Sequence, residues 1–332
     1  MNNEHPKVNY GKTGLLLVNL GTPDSTSWWD IRKYLKEFLS DQRVIEINPL
    51  LWQIILNLFI LNFRPSKTAK AYKEIWMQKE NMSPLRHYTI MQTKKLNEKI
   101  KNKNLIIDFA MRYGNPGIKS KIKKFQKEGC ENIIVLPLYP QYAAATTATV
   151  CDEVYRTLIK MRWQPSLQII PHYESEPLYI TALENSLNKK ISEINWRPDV
   201  IIASYHGIPK KYFEKGDPYY CYCQKTSRLL SEKFTKITIK TTFQSRFGPQ
   251  EWLQPYTDKT LESLPKEGKK NVLVICPGFS SDCVETLEEI SIQGRKSFLT
   301  NGGKNFDVVP CLNDEDDHIN LLKHLAERYF IE

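Results

Sequence analysis

The chain lacks an apolar run long enough to cross a bilayer, a glycine fingerprint for a dinucleotide, and a cysteine spacing that spells a metal site or a disulfide framework. Each absence removes a class of protein. A membrane-spanning helix needs about 20 predominantly apolar residues. The most apolar stretch here, residues 49–63 (PLLWQIILNLFILNF), is shorter and is interrupted by Gln53, Asn57 and Asn62. The first strand-like run, residues 14–20, is closed by Gly21-Thr22-Pro23 without G-x-G-x-x-G spacing, so nothing supports a nucleotide-binding turn. Residues 1–10 are polar and carry no apolar segment of the export type. With seven cysteines, an odd number, the expectation is reduced thiols in a cytoplasmic setting.

Positive charge is in excess, 47 Lys+Arg against 37 Asp+Glu for a net +10. It is scattered over helical segments (Lys94, Lys95, Lys99, Lys101, Lys103, Lys119, Lys121, Lys123, Lys124) and forms no Arg-rich arm. No aromatic-basic motif accompanies it, so nucleic acid is not the expected partner. An anionic small molecule or an anionic membrane surface accounts for the bias.

What is present is an alternation. At 332 residues, 41% hydrophobic and 25% charged, the chain has a globular composition and the length of two domains. Apolar strands at 14–20, 105–111 and 133–140 alternate with helices at about 25–38, 88–103, 118–128 and 141–160. After Trp163-Gln164-Pro165, read as a linker, the pattern restarts with strands at 167–170, 200–203, 237–244, 271–276 and 306–310 and helices at 177–194, 224–234 and 318–329. Strands separated by helices of ten or more residues make parallel sheets. The expected architecture is α/β, two tandem Rossmann-like domains at 1–165 and 166–311 with a C-terminal segment, 312–332, whose helix packs on the first domain. No residue-level internal repeat is visible.

Three strand ends carry unusual chemistry: Arg112 with Tyr113, His206, and residues 279–289. His206 follows the apolar run 200–203 and precedes Gly207-Ile208-Pro209, which stops both helix and central strand. It therefore stands at the carboxyl end of a strand, where open α/β sheets bind ligands, and imidazole exchanges protons near neutrality. Asp282, Glu285 and Glu289 recur at i, i+3 and i+7, one face of an α-helix. Such carboxylates suit a cation or a proton path; an acidic first turn facing the helix dipole explains Asp282 but not Glu289. Residues 49–63, followed by Arg64, Lys67, Lys70 and Lys73, read equally well as a buried helix or as an apolar lip holding a greasy ligand or resting on a membrane.

Several tracts together resemble the ferrochelatase family: Tyr205-His206-Gly207-Ile208-Pro209, Lys215-Gly216-Asp217-Pro218-Tyr219, Phe243-Gln244-Ser245-Arg246-Phe247-Gly248-Pro249 with Trp252-Leu253, Cys276-Pro277-Gly278-Phe279 through Glu285-Thr286-Leu287, Leu16 through Pro23, and Tyr139-Pro140-Gln141-Tyr142. The match runs in order along nearly the whole chain. The resemblance implies insertion of Fe²⁺ into protoporphyrin IX to give protohaem, on two Rossmann-like domains with a cleft between them. Position by position it makes His206 the active-site histidine, Glu285 its partner carboxylate, and Asp282 and Glu289 an acidic conduit, the four together being candidate metal contacts. It places Leu20, Arg112, Tyr113, Trp252 and Phe279 against the porphyrin and favours the lip reading of residues 49–63, hence peripheral contact with the inner face of the membrane.

Some family members hold a [2Fe–2S] cluster through a cysteine just after the Y-P-Q-Y tract and three in a C-terminal extension. Here Ala144 stands at the first position and no extension follows Glu332, which implies that this cluster is absent and that no cofactor is required beyond Fe²⁺ as substrate. Cys221-Tyr222-Cys223 fits no cluster motif, and Cys283 stands where some relatives carry histidine. A coproporphyrin III chelatase and a non-catalytic tetrapyrrole carrier are the alternatives. Leu20, where coproporphyrin-type members tend to carry tyrosine, and the apolar lip favour protoporphyrin.

Overall fold

The structure is a computed structural model that describes residues 11–330; the polar segment 1–10, on which the expectation about export rests, lies outside the described residues. The described chain forms two compact units.

The first unit is built on β1 (Thr13–Thr22), α1 (Trp28–Leu39), α2 (Pro49–Ile55), a π-helical turn (Leu56–Ile60), α3 (Leu61–Ile75), α4 (Pro84–Lys99), β2 (Leu105–Gly114), α5 (Ile118–Lys127), β3 (Asn132–Pro137), a second π turn (Ala144–Ala148), α6 (Thr149–Leu158) and β4 (Ser166–Ile169). Its four strands are parallel in the order β2-β1-β3-β4. β1 is central and buried along nearly its whole length, which is why it reads as a continuous apolar run. Gly21 near its end has φ +114°, and a Cβ there would lie 1.8 Å from the Tyr113 carbonyl oxygen of β2. No side chain fits so close a strand approach.

The expected boundary at 165/166 is overturned by strand pairing. Leu167 of β4 lies in register with Ile133 of β3, so β4 completes the first sheet. The first unit accordingly runs on to Pro171, without residues 139–143, and takes in the chain from Ile319. There Lys99 at the end of α4 donates to Asn320 Oδ1 at 2.7 Å.

Residues 49–63 do not form a buried helix. Asn48 caps α2 through its side chain, accepting from the Leu50 and Leu51 amides, and Pro49 occupies the first turn. Leu56 and Leu61 are fully buried, and Trp52 Nε1 donates to the Leu39 carbonyl at 2.6 Å. Leu50, Leu51, Ile54, Leu58, Phe59 and Phe63 are exposed, Leu50 by 80% and Phe63 by 75%. The widened π turn ends at Leu61, whose carbonyl loses its usual backbone donor because Pro65 has no N–H.

The second unit contains residues 139–143 and 172–318. Its elements are α7 (Pro177–Glu193), β5 (Val200–His206), α8 (Lys210–Glu214), α9 (Tyr219–Ser231), β6 (Ile239–Gln244), α10 (Thr257–Ser263), β7 (Asn271–Ile275), a long π-helix (Glu285–Gly294) continuing as α11 (Arg295–Thr300), β8 (Asn305–Val308), and the start of α12 (Asp316–Glu327). The sheet is again parallel, ordered β6-β5-β7-β8. The two sheets therefore share one strand permutation, a repeat of topology without a repeat of residues. α9 starts five residues before the expected 224, because Asp217 Oδ1 accepts from the Tyr219 amide at 3.0 Å and starts the helix there. Among the described residues α8 and α10, of 5 and 7 residues, were not foreseen; helices of one or two turns give too little periodicity to read.

Candidate active site

β5 is buried from Val200 to Tyr205 and surfaces at His206. The strand delivers His206 to its carboxyl end, half-buried. Its Nδ1 lies 2.6 Å from the Gly207 carbonyl oxygen. A carbonyl only accepts, so in the neutral ring Nδ1 carries the proton and Nε2 keeps a free lone pair. The next residue has no room for a side chain: a Cβ on Gly207 would stand 3.1 Å from the Trp252 ring and 3.0 Å from the Gln244 carbonyl. Trp252 is buried, donates from Nε1 to the Phe247 carbonyl at 3.0 Å, and tilts against Phe247 with ring centroids 5.1 Å apart. An indole wall therefore flanks the backbone beside the imidazole.

Gln244, the last residue of β6, is the ladder partner of His206. Past it, Ser245 adopts the left-handed region, φ +66°, at a cost of about 1–3 kcal/mol for a residue with a side chain. That backbone aims two donors at one carboxylate. Ser245 N donates to Glu289 Oε1 at 2.7 Å, and Ser245 Oγ to Glu289 Oε2 at 2.5 Å. Burial pushes the Glu289 carboxyl above its usual range, against the pull of the Ser245 bonds and of His206, while Glu285 pushes in the same direction as burial. His206, Glu285 and Glu289 thus share one electrostatic neighbourhood.

Asp282 has a different task. It precedes the π-helix, is buried, and spends both oxygens inside the fold. Oδ1 accepts from Thr286 Oγ1 at 2.9 Å and the Cys311 amide at 3.3 Å; Oδ2 accepts from Asn313 Nδ2 at 2.7 Å. The expected single acidic face is therefore corrected. Glu285 opens a π-helix, whose wider turn breaks the 3.6-residue periodicity, and Asp282 lies outside it. Among the described residues no group of three or more His, Cys, Asp or Glu side chains is arranged to hold a metal ion. The four expected metal contacts do not form one preassembled cage. Burial, reinforced by Glu285, pushes the Cys283 thiol well above its ordinary value, which leaves it protonated and a poor ligand. Phe279, half-buried after β7, packs on the core formed by Ile202, Val274, Ile290 and their neighbours.

In the first unit, Leu20 is half-buried at the end of β1. Arg112 and Tyr113, at the end of β2, are buried and already occupied. The Arg112 guanidinium pairs with the Asp41 carboxylate and donates from Nε to the Thr149 carbonyl at 2.8 Å. Tyr113 donates its hydroxyl to the same Asp41 oxygen at 3.0 Å. Asp41 in turn accepts the Val44 and Ile45 amides on its carbonyl, at 3.1 and 3.0 Å, ordering the turn that leads into α2.

The family sequence model described as Ferrochelatase matches residues 12–329. The chain belongs to the ferrochelatase family. It is 56% identical to the ferrochelatase of Rhizobium meliloti (strain 1021) over 330 residues, covering 98% of this chain and 97% of that protein. It is 50% identical to the ferrochelatase of Francisella tularensis subsp. tularensis over 322 residues, covering 96% of each. Among solved structures, the chelatase SirB from Bacillus subtilis with Fe³⁺ superposes with a TM-score of 0.59 at 11% identity, over 96% of both chains; that likeness concerns the fold. Membership makes the chain a lyase of porphyrin metallation.

Gln244, Ser245, Thr286 and Asn313 were missed as site residues by sequence reasoning. The Phe243-Gln244-Ser245-Arg246 tract hinted at the first two and the Glu285-Thr286-Leu287 tract at the third. Polar uncharged residues give no periodic or charge signal, and their bonding is visible only in three dimensions.

Proposed function

We propose that this protein inserts Fe²⁺ into protoporphyrin IX, with His206 taking a pyrrole proton at Nε2 and Glu285 and Glu289 handling the second proton and the incoming metal. The observation that carries the reading is the His206–Gly207 hydrogen bond, which fixes the tautomer with its lone pair on Nε2. The balance is simple: two pyrrole N–H protons leave as Fe²⁺ takes the four ring nitrogens. The half-exposed imidazole accepts one, and Glu289, raised by burial, holds and releases a proton more readily near neutrality than an ordinary carboxylate. Trp252 and Phe279 supply bulky walls suited to straining a flat macrocycle so that its lone pairs face the metal, and Leu20 is a further porphyrin contact. The Asp41 pairing leaves Arg112 and Tyr113 as residues that hold the turn before α2.

Protoporphyrin over coproporphyrin is favoured by Leu20 and by the exposed apolar residues of 49–63. The same residues, with Lys67, Lys70 and Lys73 exposed on α3, support peripheral contact with an anionic membrane surface from the cytoplasmic side. The reading includes no iron–sulfur cluster.

Anaerobic absorbance with Fe²⁺ and protoporphyrin IX, run beside coproporphyrin III, tests it. Haem should form faster with protoporphyrin. His206→Ala should lower kcat by at least a hundredfold with porphyrin affinity within about threefold, as loss of a general base requires, and acid-labile sulfide in the purified protein should be nil. Undiminished turnover by His206→Ala would refute the assigned role.

A further inference from the structure

Gln244 has both ends of its amide engaged, and each end touches a different part of the second unit. Its side chain is 4% exposed. Oε1 accepts from Ser204 Oγ of β5 at 2.7 Å, and Ser204 is itself bonded to Thr257 Oγ1 at 2.8 Å. Nε2 donates to the Glu285 carbonyl at 2.8 Å and lies 3.5 Å from Glu289 Oε2. The flipped amide would set its oxygen against a carbonyl and a carboxylate, both acceptors, so the neighbours dictate one orientation. The backbone is tied as well: the Gly207 amide donates to the Gln244 carbonyl at 2.8 Å, and Gln244 pairs across the ladder with His206.

The π-helix that carries Glu285 and Glu289 thus meets β5 and β6 through one buried amide. We infer that Gln244 is a positioning residue: it fixes the first turn of the π-helix, and with it the Glu285 and Glu289 carboxylates, relative to His206. This rests on the roles proposed above for His206, Glu285 and Glu289. The chemistry favours an amide because the position must accept on one side and donate on the other. Methionine matches its length but does neither; glutamate keeps the acceptor, loses the donor, and adds a charge facing Glu289.

The test is a double-mutant cycle on the full chain with Gln244→Met and Ser204→Ala, with Gln244→Glu as a third variant. Four quantities are measured: kcat and metal KM for anaerobic Fe²⁺ insertion into protoporphyrin IX, porphyrin Kd by fluorescence quenching, and the midpoint of thermal unfolding. Gln244→Met should lower kcat or raise metal KM at least tenfold, with porphyrin Kd within about twofold. Gln244→Glu should lose more. Ser204→Ala alone should show a smaller loss of the same kind, and none in the Gln244→Met background, because the two bonds act in series. Wild-type kinetics in Gln244→Met, or a loss of turnover matched by porphyrin affinity and thermal midpoint in every variant, would overturn the assignment while wild-type turnover upholds the catalytic reading. Absence of metal insertion by the wild-type protein would overturn both.

Discussion

Asp282 keeps both carboxylate oxygens within the fold, bound to Thr286, Cys311 and Asn313, whereas Glu289, seven positions on, is held by two donors of a strained Ser245 and feels His206. Sequence spacing makes these carboxylates look alike; their partners set them apart, Asp282 being bonded away from His206 and Glu289 lying within its electrostatic reach. An amide at 282 must turn its NH₂ toward a donor, so Asp282→Asn should cost about 1–3 kcal/mol, the range for leaving a buried polar group unsatisfied. Urea unfolding reads the cost directly, and metal KM should stay near that of the unmodified enzyme. Unchanged stability with a raised metal KM would return Asp282 to the conduit. At the same scale, Arg112 and Tyr113 were legible as unusual residues at a strand end, but not as partners of Asp41. That pairing spans 71 and 72 residues, and nothing local announces it.

Among the elements, the strands were the most legible and the π-helical segments the least. A strand buried on both faces is written as a continuous apolar run, and β1, β3, β5 and β7 are such runs. A π-helix has no composition of its own; it arises where packing forces an extra residue into a turn. In the segment from α2 to α3, the buried residues Leu56 and Leu61 act as anchors, and the exposed Leu58, Phe59 and Phe63 project outward. No helix among the described residues is long and apolar enough to cross a membrane, and the contact proposed for this segment is with a membrane surface. Each large apolar side chain adds about 2 kcal/mol when buried, and each nearby lysine about 1 kcal/mol on an anionic surface. The protein should therefore cosediment with phosphatidylglycerol-rich vesicles, less so in high salt. Leu58→Ser combined with Phe59→Ser should weaken that binding at least tenfold; equal binding by the double variant would place the contact elsewhere.

For the whole molecule, the joint in the chain at α12 carries a titratable group. His318, the last residue of the second unit, is 1% exposed and its Nδ1 donates to the Asn313 carbonyl at 2.7 Å. Burial pushes its pKa down from 6.5 to about 4, against smaller upward pulls from that bond and from Asp314. The unfolded chain then binds a proton that the folded chain refuses. Its contribution is complete above about pH 6.5 and is lost as pH falls toward 4. At roughly 1.4 kcal/mol per pH unit, the loss over that window is about 3 kcal/mol. Unfolding free energy measured from pH 7 to 4 should show this slope, and His318→Asn, whose amide still donates to Asn313, should flatten it. An unchanged slope in the variant would assign the acid sensitivity to other groups.

The amino-acid order by itself determined the α/β class, the parallel strands, and the place of His206 at a strand end, because burial on two faces and the stop at His206-Gly207-Ile208-Pro209 are local properties of the chain. Only the tertiary structure decided that β4 completes the first sheet, that the two sheets share one strand order, and that residues 49–63 bury Leu56 and Leu61 while exposing Leu50, Leu58, Phe59 and Phe63. It alone decided which partners each carboxylate of 282–289 meets. Those outcomes depend on hydrogen bonds and packing between residues tens of positions apart, and a buried amide such as Gln244 acquires its meaning from what surrounds it.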